Sequence, residues 1–211
     1  MLYLIQTNLA AAVLLLISIL VGIVVHEAAH AYSAYLLGDD TAYRQGRVTL
    51  NPASHLDPLG SVMILVAGFG WGRPTPVEPA KLKSPYWGSI AVAFAGPSSN
   101  LFIVAVCAVL IRITVFQGGY PLALVVYMAL ANGLLFVFNL IPIPPLDGAK
   151  VLYPLLPRSM GGFVAFMNQY GPGILLALVL VSVLFESVSP LGVILSLVRP
   201  LLNLFGLPVI I

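Results

Sequence analysis

From Leu9 to Leu37 the chain carries one long apolar stretch, broken by a single ionisable cluster, Val25-His26-Glu27-Ala28-Ala29-His30-Ala31. A run of this length exceeds the ~20 residues that cross a bilayer as a helix, so it spans with tilt or emerges at one end. On a helix, positions i and i+4 share a face one turn apart. His26 and His30 therefore aim two imidazoles at a common spot, and Glu27 falls on the adjacent flank. Ionisable groups at membrane depth are costly and mark function by default. Two imidazoles one turn apart with a glutamate beside them suit a zinc ion and a general base that takes a proton from the water the metal activates. A His/Glu cluster satisfied between helices, or a proton or ion relay, is the competing reading of these residues alone.

The rest of the chain agrees with a membrane setting. Of its 211 residues, 60% are hydrophobic and 8% charged, where a soluble domain carries about 25% charged residues. Mean hydropathy is +1.06. These values indicate an integral membrane protein of one domain, residues 1–211, with little left for a separate soluble domain. Its core is expected over residues 9–150 and C-terminal helices over 172–211. The formal net charge of +2 gives no reason to expect nucleic acid as a partner. The lone cysteine, Cys107, sits in an apolar run and reads as a small buried side chain. The first 25 residues lack a basic leader region and run straight into the motif, so they are expected to be retained.

Beyond the first helix, Gly38 suits a helix C-cap, and His30 then lies about eight residues, ~12 Å, below that membrane surface. Residues 39–58 are polar and turn-rich, with weak strand character at Arg47-Val48-Thr49-Leu50. Leu59 to Gly70 is an apolar run of only twelve residues, which fits a re-entrant segment better than a crossing. Residues 71–87 are Pro-rich and basic, with Trp71, Tyr86 and Trp87 suited to the headgroup belt. Further spans are expected at Gly88–Ile111, Pro121–Ile141, Ile174–Phe185 and Leu191–Ile211, with residues 149–170 as an interfacial piece. The expected fold is membrane all-α: a polytopic helical bundle of about five full spans plus a short re-entrant or β-like membrane-associated segment.

Geometry then constrains topology. If residues 59–70 dip and return, the 88–111 helix leaves from the side where the first helix ended, and the 121–141 helix delivers Asp147 back to it. Arg44, Arg47, Arg73, Lys81, Lys83, Lys150 and Arg158 fall on that side and Arg112 on the other. The positive-inside rule makes the motif side cytoplasmic.

A catalytic zinc commonly has three protein ligands and a water. The third can come from Asp147, which follows a Pro-x-Pro-Pro run that stiffens its approach, or from His55 in the polar loop. Asn100, Asn132 and Asn139 are polar groups inside spans. An interhelical hydrogen bond accounts best for Asn132, and Asn139 is drawn toward the site by its closeness to Asp147. For Asn100 the two roles balance. Gly96-Pro97 reads as a packing and kink feature.

At these residues the sequence resembles the site-2 proteases, a family of intramembrane zinc metalloproteases. The likeness rests on His26-Glu27-Ala28-Ala29-His30, on Gly96-Pro97 with Asn100, and on Asn139-x-x-Pro142-x-Pro144-x-Leu146-Asp147-Gly148, in that order. Asn51-Pro52 with His55, Asp57-Pro58 and Gly60 is similar to the shorter bacterial and archaeal branch, without PDZ or CBS domains. The resemblance implies His26, His30 and Asp147 as ligands of one Zn2+ and Glu27 as general base. It also implies Asn139 as a polar group near the metal and a substrate-presenting segment over roughly 40–80. For His55 two readings stand, help near the active site, as the resemblance suggests, or organisation of its loop alone, and Asn100 stays a possible auxiliary. It implies hydrolysis of peptide bonds in or near transmembrane helices of membrane-protein substrates, that is, regulated intramembrane proteolysis. The setting would be a prokaryotic cell membrane, among lipid, with self-association into a homo-oligomer left open. Such a substrate must unwind before cleavage, and strand-prone residues 47–50 or extended pieces in 71–80 could capture it by edge pairing. The alternatives are a zinc-dependent membrane hydrolase of a non-protein substrate and an ion- or proton-translocating protein. A translocator would want carboxylates spread across the membrane and repeated segments, and neither is visible.

Overall fold

The computed structural model describes residues 2–67, 70–113, 118–184, 192–193 and 196–207. It is helical, and among the described residues there is no strand, only an isolated antiparallel bridge between Leu56 and Gly72. The helices are α1 (Leu2–Thr7), α2 (Leu9–Leu36), α3 (Thr41–Arg44), α4 (Pro58–Ala67), α5 (Pro85–Arg112), α6 (Gly119–Asn139), α7 (Asp147–Leu152), α8 (Gly161–Leu184) and α9 (Val198–Leu204).

Local signals set the ends of α2. Asn8 caps its first turn, its side-chain oxygen accepting from the Ala11 N–H at 3.0 Å. Gly38 stops it with φ +107°, a conformation that favours glycine. At 28 residues, α2 is ~42 Å long and apolar nearly all round, as a membrane helix is. Pro85 begins α5 in its first turn, where a missing N–H costs nothing.

Four stretches are long and apolar enough to cross a membrane: Leu9–Leu36, Pro85–Arg112, Gly119–Asn139 and Arg158–Ser182. The chain is an integral membrane protein, with four such stretches among the described residues where about five were expected. The fourth begins well before Ile174, because Pro172 is accommodated inside α8 instead of breaking it. Of the expected span Leu191–Ile211, residues 192–193 and 196–207 are described, with the seven-residue α9 among them, and the rest lies outside the described residues.

At the centre, α2, α5 and α6 pack against one another. At one end Val104, Cys107, Ala108, Val125 and Ala129 form an apolar cluster closed by Val198 and Leu202 of α9. The other end carries the polar loops. The bridge from Leu56 to Gly72, and the Arg73 N–H bound to the His55 carbonyl at 2.7 Å, hold the two ends of the intervening excursion side by side. Within it α4 has ten residues, ~15 Å, half a bilayer core. Residues 55–56 and 72–73 therefore lie together at the loop end of the bundle. Lys83 N–H bonds to the Leu37 carbonyl at 2.9 Å, so α5 leaves from the end where α2 stopped. The weak strand expected at 47–50 does not form. Its groups are used inside the loop, where the Thr49 carbonyl accepts from His55 Nε2 at 2.7 Å and Arg47 turns inward.

Candidate metal centre

His26 and His30 lie one turn apart on α2, both buried, and α5 crosses their face. Each imidazole is held from behind. His26 Nδ1 donates to Asn100 Oδ1 at 2.6 Å, and His30 Nδ1 donates to the Val92 carbonyl at 2.7 Å. With both Nδ1 atoms occupied as donors, both Nε2 atoms carry lone pairs, the tautomer that binds metals. Asn100 is itself fixed: its amide donates to the Gly22 carbonyl at 3.2 Å and to Asn132 Oδ1 at 2.9 Å. A buried polar chain thus runs from α6 through α5 to the His26 ring.

Asp147 arrives from the third core helix. Pro142, Pro144 and Pro145 end the helical run after Asn139, and α7 restarts at Asp147. The turn is tight enough that a Cβ on Gly148 would lie 2.2 Å from the Leu140 carbonyl oxygen. Lys150 Nζ holds Asp147 Oδ1 at 2.9 Å, leaving Oδ2 for the imidazoles. Oδ2 is 3.0 Å from His26 Nε2 and 3.0 Å from His30 Nε2, and the two nitrogens are 3.0 Å apart.

Three acceptor atoms in an equilateral triangle repel unless a cation or proton lies among them. Two tests favour a metal. A tetrahedral ion with bonds of ~2.0 Å holds its donors ~3.3 Å apart, close to this triangle, and two nitrogens with one carboxylate oxygen are a zinc donor set. The second test comes from Gly96. A Cβ there would sit 2.3 Å from His30 Nε2 and 2.6 Å from His26 Nε2. The backbone of α5 therefore leaves a cradle beside the two nitrogens that one methyl group would fill. The residues present fit zinc.

Glu27 is partly buried and lines a cleft of about 300 Å³ together with His30, Asp147, Lys150 and the extended residues Pro74, Thr75 and Val77. Its Oε2 accepts from the Thr75 N–H at 2.9 Å and from the Thr75 hydroxyl at 2.8 Å. Buried Arg47 lies near enough for its charge to feel the carboxylate: burial pushes its guanidinium below the ordinary arginine pKa, and Glu27 offsets part of that.

The sequence candidates separate clearly. His26, His30 and Asp147 converge on one point, with Glu27 beside the cleft and Asn100 behind His26. Asn132 makes the interhelical bond expected of it. Asn139 turns back to the Leu135 carbonyl of its own helix at 3.0 Å, outside the ligand triangle. His55 is fully buried in the loop, where its ring binds Thr49 and its carbonyl holds Arg73. Sequence reasoning missed Thr75, Arg47, Lys150 and the role of Gly96. For Lys150 a signal existed, its i+3 position from Asp147 on a helix. For Thr75 the flanking prolines were the only hint.

The chain is 41% identical over 187 residues to "Putative zinc metalloprotease YwhC" of Bacillus subtilis (strain 168), a match covering 84% of this chain and 81% of that one. It is 29% identical over 165 residues to "Putative zinc metalloprotease Rip2" of Mycolicibacterium smegmatis, covering 72% of this chain and 61% of that one. With the Rip2 protein of Mycobacterium tuberculosis H37Rv the identity is 31% over 170 residues, covering 76% and 64%. The chain spans under two thirds of the length of these mycobacterial relatives. No family model and no solved structure matches it. An identity of 41% sustained through four fifths of both partners makes the chain a member of the site-2 protease family of zinc metalloproteases.

Proposed function

We propose that this protein is an intramembrane zinc endopeptidase that hydrolyses peptide bonds in or near transmembrane helices of other membrane proteins. The observation that carries this reading is the placement of the ligand triangle. His26 and His30 lie within a helix long and apolar enough to span a bilayer, and His30 is about six residues, ~9 Å, from its end. A hydrolytic centre at that depth suits a substrate that is itself in the membrane.

His26, His30 and Asp147 would hold the zinc ion. Bound there, zinc supplies Lewis acidity, acidifying a water and polarising a carbonyl. Glu27 takes the proton of the attacking water and passes it to the leaving amine nitrogen as the C–N bond breaks. Asn100 and the Val92 carbonyl keep the imidazoles aimed throughout. The cleft beside Glu27 admits water from the loop end. The substrate helix unwinds locally before it reaches the site, since its carbonyls are otherwise tied up in the helix. By the positive-inside rule the loop end is cytoplasmic, in a prokaryotic cell membrane.

The test is reconstitution in liposomes with a single-span helical peptide, with zinc content measured alongside. Wild type should carry zinc and release two fragments whose masses locate the cut in or near the span. Glu27→Gln should keep the zinc and lose turnover. Full activity in metal-free wild type, or in Glu27→Gln, would sink the proposal.

A further inference from the structure

An extended strap, residues 72–78, crosses α2 at the level of Glu27, and its attachment is tighter than a connecting loop needs. Gly72 lets it come close: a Cβ there would lie 2.8 Å from Ile23 Cγ2 and 3.4 Å from Glu27 Cγ. Both backbone polar groups of Arg73 are taken, the N–H by the His55 carbonyl and the carbonyl by the Arg47 guanidinium. Arg47 is only 3% exposed. Burying a guanidinium is unfavourable unless its hydrogen bonds are made, yet this one reaches 26 residues along the chain to hold one carbonyl. At the strap's other end the Glu78 N–H donates to Asp39 Oδ2 at 2.7 Å, and Asp39 is fully buried.

Between these anchors stands Pro74-Thr75-Pro76. Prolines fix φ and carry no N–H, so Thr75 is the strap's one backbone donor between Arg73 and Val77. That donor and the Thr75 hydroxyl both go to Glu27 Oε2, and the hydroxyl also lies 3.0 Å from the Glu27 carbonyl oxygen. A carboxylate free to rotate exchanges its two oxygens. Two donors on one oxygen remove that freedom and leave Oε1 for the reacting water.

We propose that Thr75 is a positioning residue for Glu27, and that the loop carrying Arg47 and His55 belongs to the catalytic apparatus because it sets where Thr75 sits. This rests on the reading of Glu27 as general base. Because Glu27 acts on water and not on the substrate's binding groups, loss of the hydroxyl should fall on turnover and spare substrate affinity.

The test measures kcat, KM and zinc content of the full chain in liposomes, with a fluorogenic single-span peptide. Thr75→Val should keep its zinc and lose kcat by about tenfold or more with KM within about twofold, while Thr75→Ser recovers most of the rate. Wild-type kcat in Thr75→Val, or equal losses in the Val and Ser variants, would overturn the assignment. If the Val variant loses its fold or its zinc, Thr75→Cys decides, since it keeps the volume with a weaker donor. A reduced kcat at unchanged zinc supports the role, and a wild-type kcat refutes it. Glu27→Gln runs alongside. If it is fully active, the reading of Glu27 fails and takes this one with it. If it is dead beside a fully active Thr75→Val, only the positioning role fails.

Discussion

Adding one methyl group at Gly96 separates the metal site from the fold more cleanly than any other change. The new Cβ would lie 2.3 Å from His30 Nε2 and 2.6 Å from both His26 Nε2 and His30 Cε1. Ordinary contact between such atoms is about 3.5 Å, so the overlap is roughly 1 Å against two rings at once. A zinc–nitrogen bond is ~2.0–2.1 Å, which means the methyl takes up space the ion needs. The rings cannot simply swing aside, because Asn100 and Val92 hold them from behind. If α5 retreats by ~1 Å instead, those same hydrogen bonds to α5 stretch. Disturbing a residue that merely supports a ligand costs about 10–100-fold in metal affinity, and intrusion on the ion's own space should cost at least as much. Meanwhile alanine is a better helix former than glycine by ~0.8–1 kcal/mol, so α5 itself gains. The expected result for Gly96→Ala is therefore helical, monodisperse protein that loses zinc to a chelator at concentrations the wild type resists. Gly173→Ala is the control, since a Cβ there meets nothing within 4 Å. Zinc per chain after graded chelator dialysis is the readout. Wild-type zinc retention by Gly96→Ala would refute the placement of the metal between these rings.

Two further outcomes follow from the same contacts. Asn100→Ala removes the acceptor for His26 Nδ1 and should weaken zinc binding by about 10–100-fold while leaving the helices intact, measurable by the same chelator competition. Asp39 gives a pH signature. Burial would push its carboxyl up, but hydrogen bonds from Thr41 and Glu78 and the charge of Lys81 outweigh this and hold it below the ordinary carboxylate range. Its stabilising contribution is thus complete above the unfolded value of ~3.9 and is lost as pH falls through the lower folded value. The Tm difference between wild type and Asp39→Asn should be largest near neutrality and shrink below about pH 4. A difference that stays constant into that range would show that the ionised carboxylate is not what anchors the strap.

The apolar run and the i, i+4 spacing of His26 and His30 needed no tertiary knowledge. A helix is the one structure that satisfies its own backbone in lipid, and its period alone puts the two rings on one face. Length likewise argues against a full crossing by α4, since a helix of about ten residues is shorter than ~30 Å of hydrocarbon. The Pro-x-Pro-Pro run marked where a helix must end and a carboxylate could be aimed. The span expected from Ile174 starts earlier, since proline, here Pro172, weakens a helix without always ending it. Asn139 is near Asp147 in sequence yet bonds within its own helix, since side-chain direction is not a function of sequence distance.

What only the folded chain decided are relations between helices. Nothing in the residue order distinguishes a packing glycine from Gly96, whose missing Cβ matters because α5 crosses α2 at the two imidazoles. Nothing local distinguishes Asn100 behind His26 from Asn132 behind Asn100. The grip of Thr75 on Glu27 joins positions 48 residues apart. Periodicity and length are properties of one segment in its solvent, so the sequence determines them by itself. A hydrogen bond or a close approach between segments depends on crossing and register, which all the packed surfaces fix together.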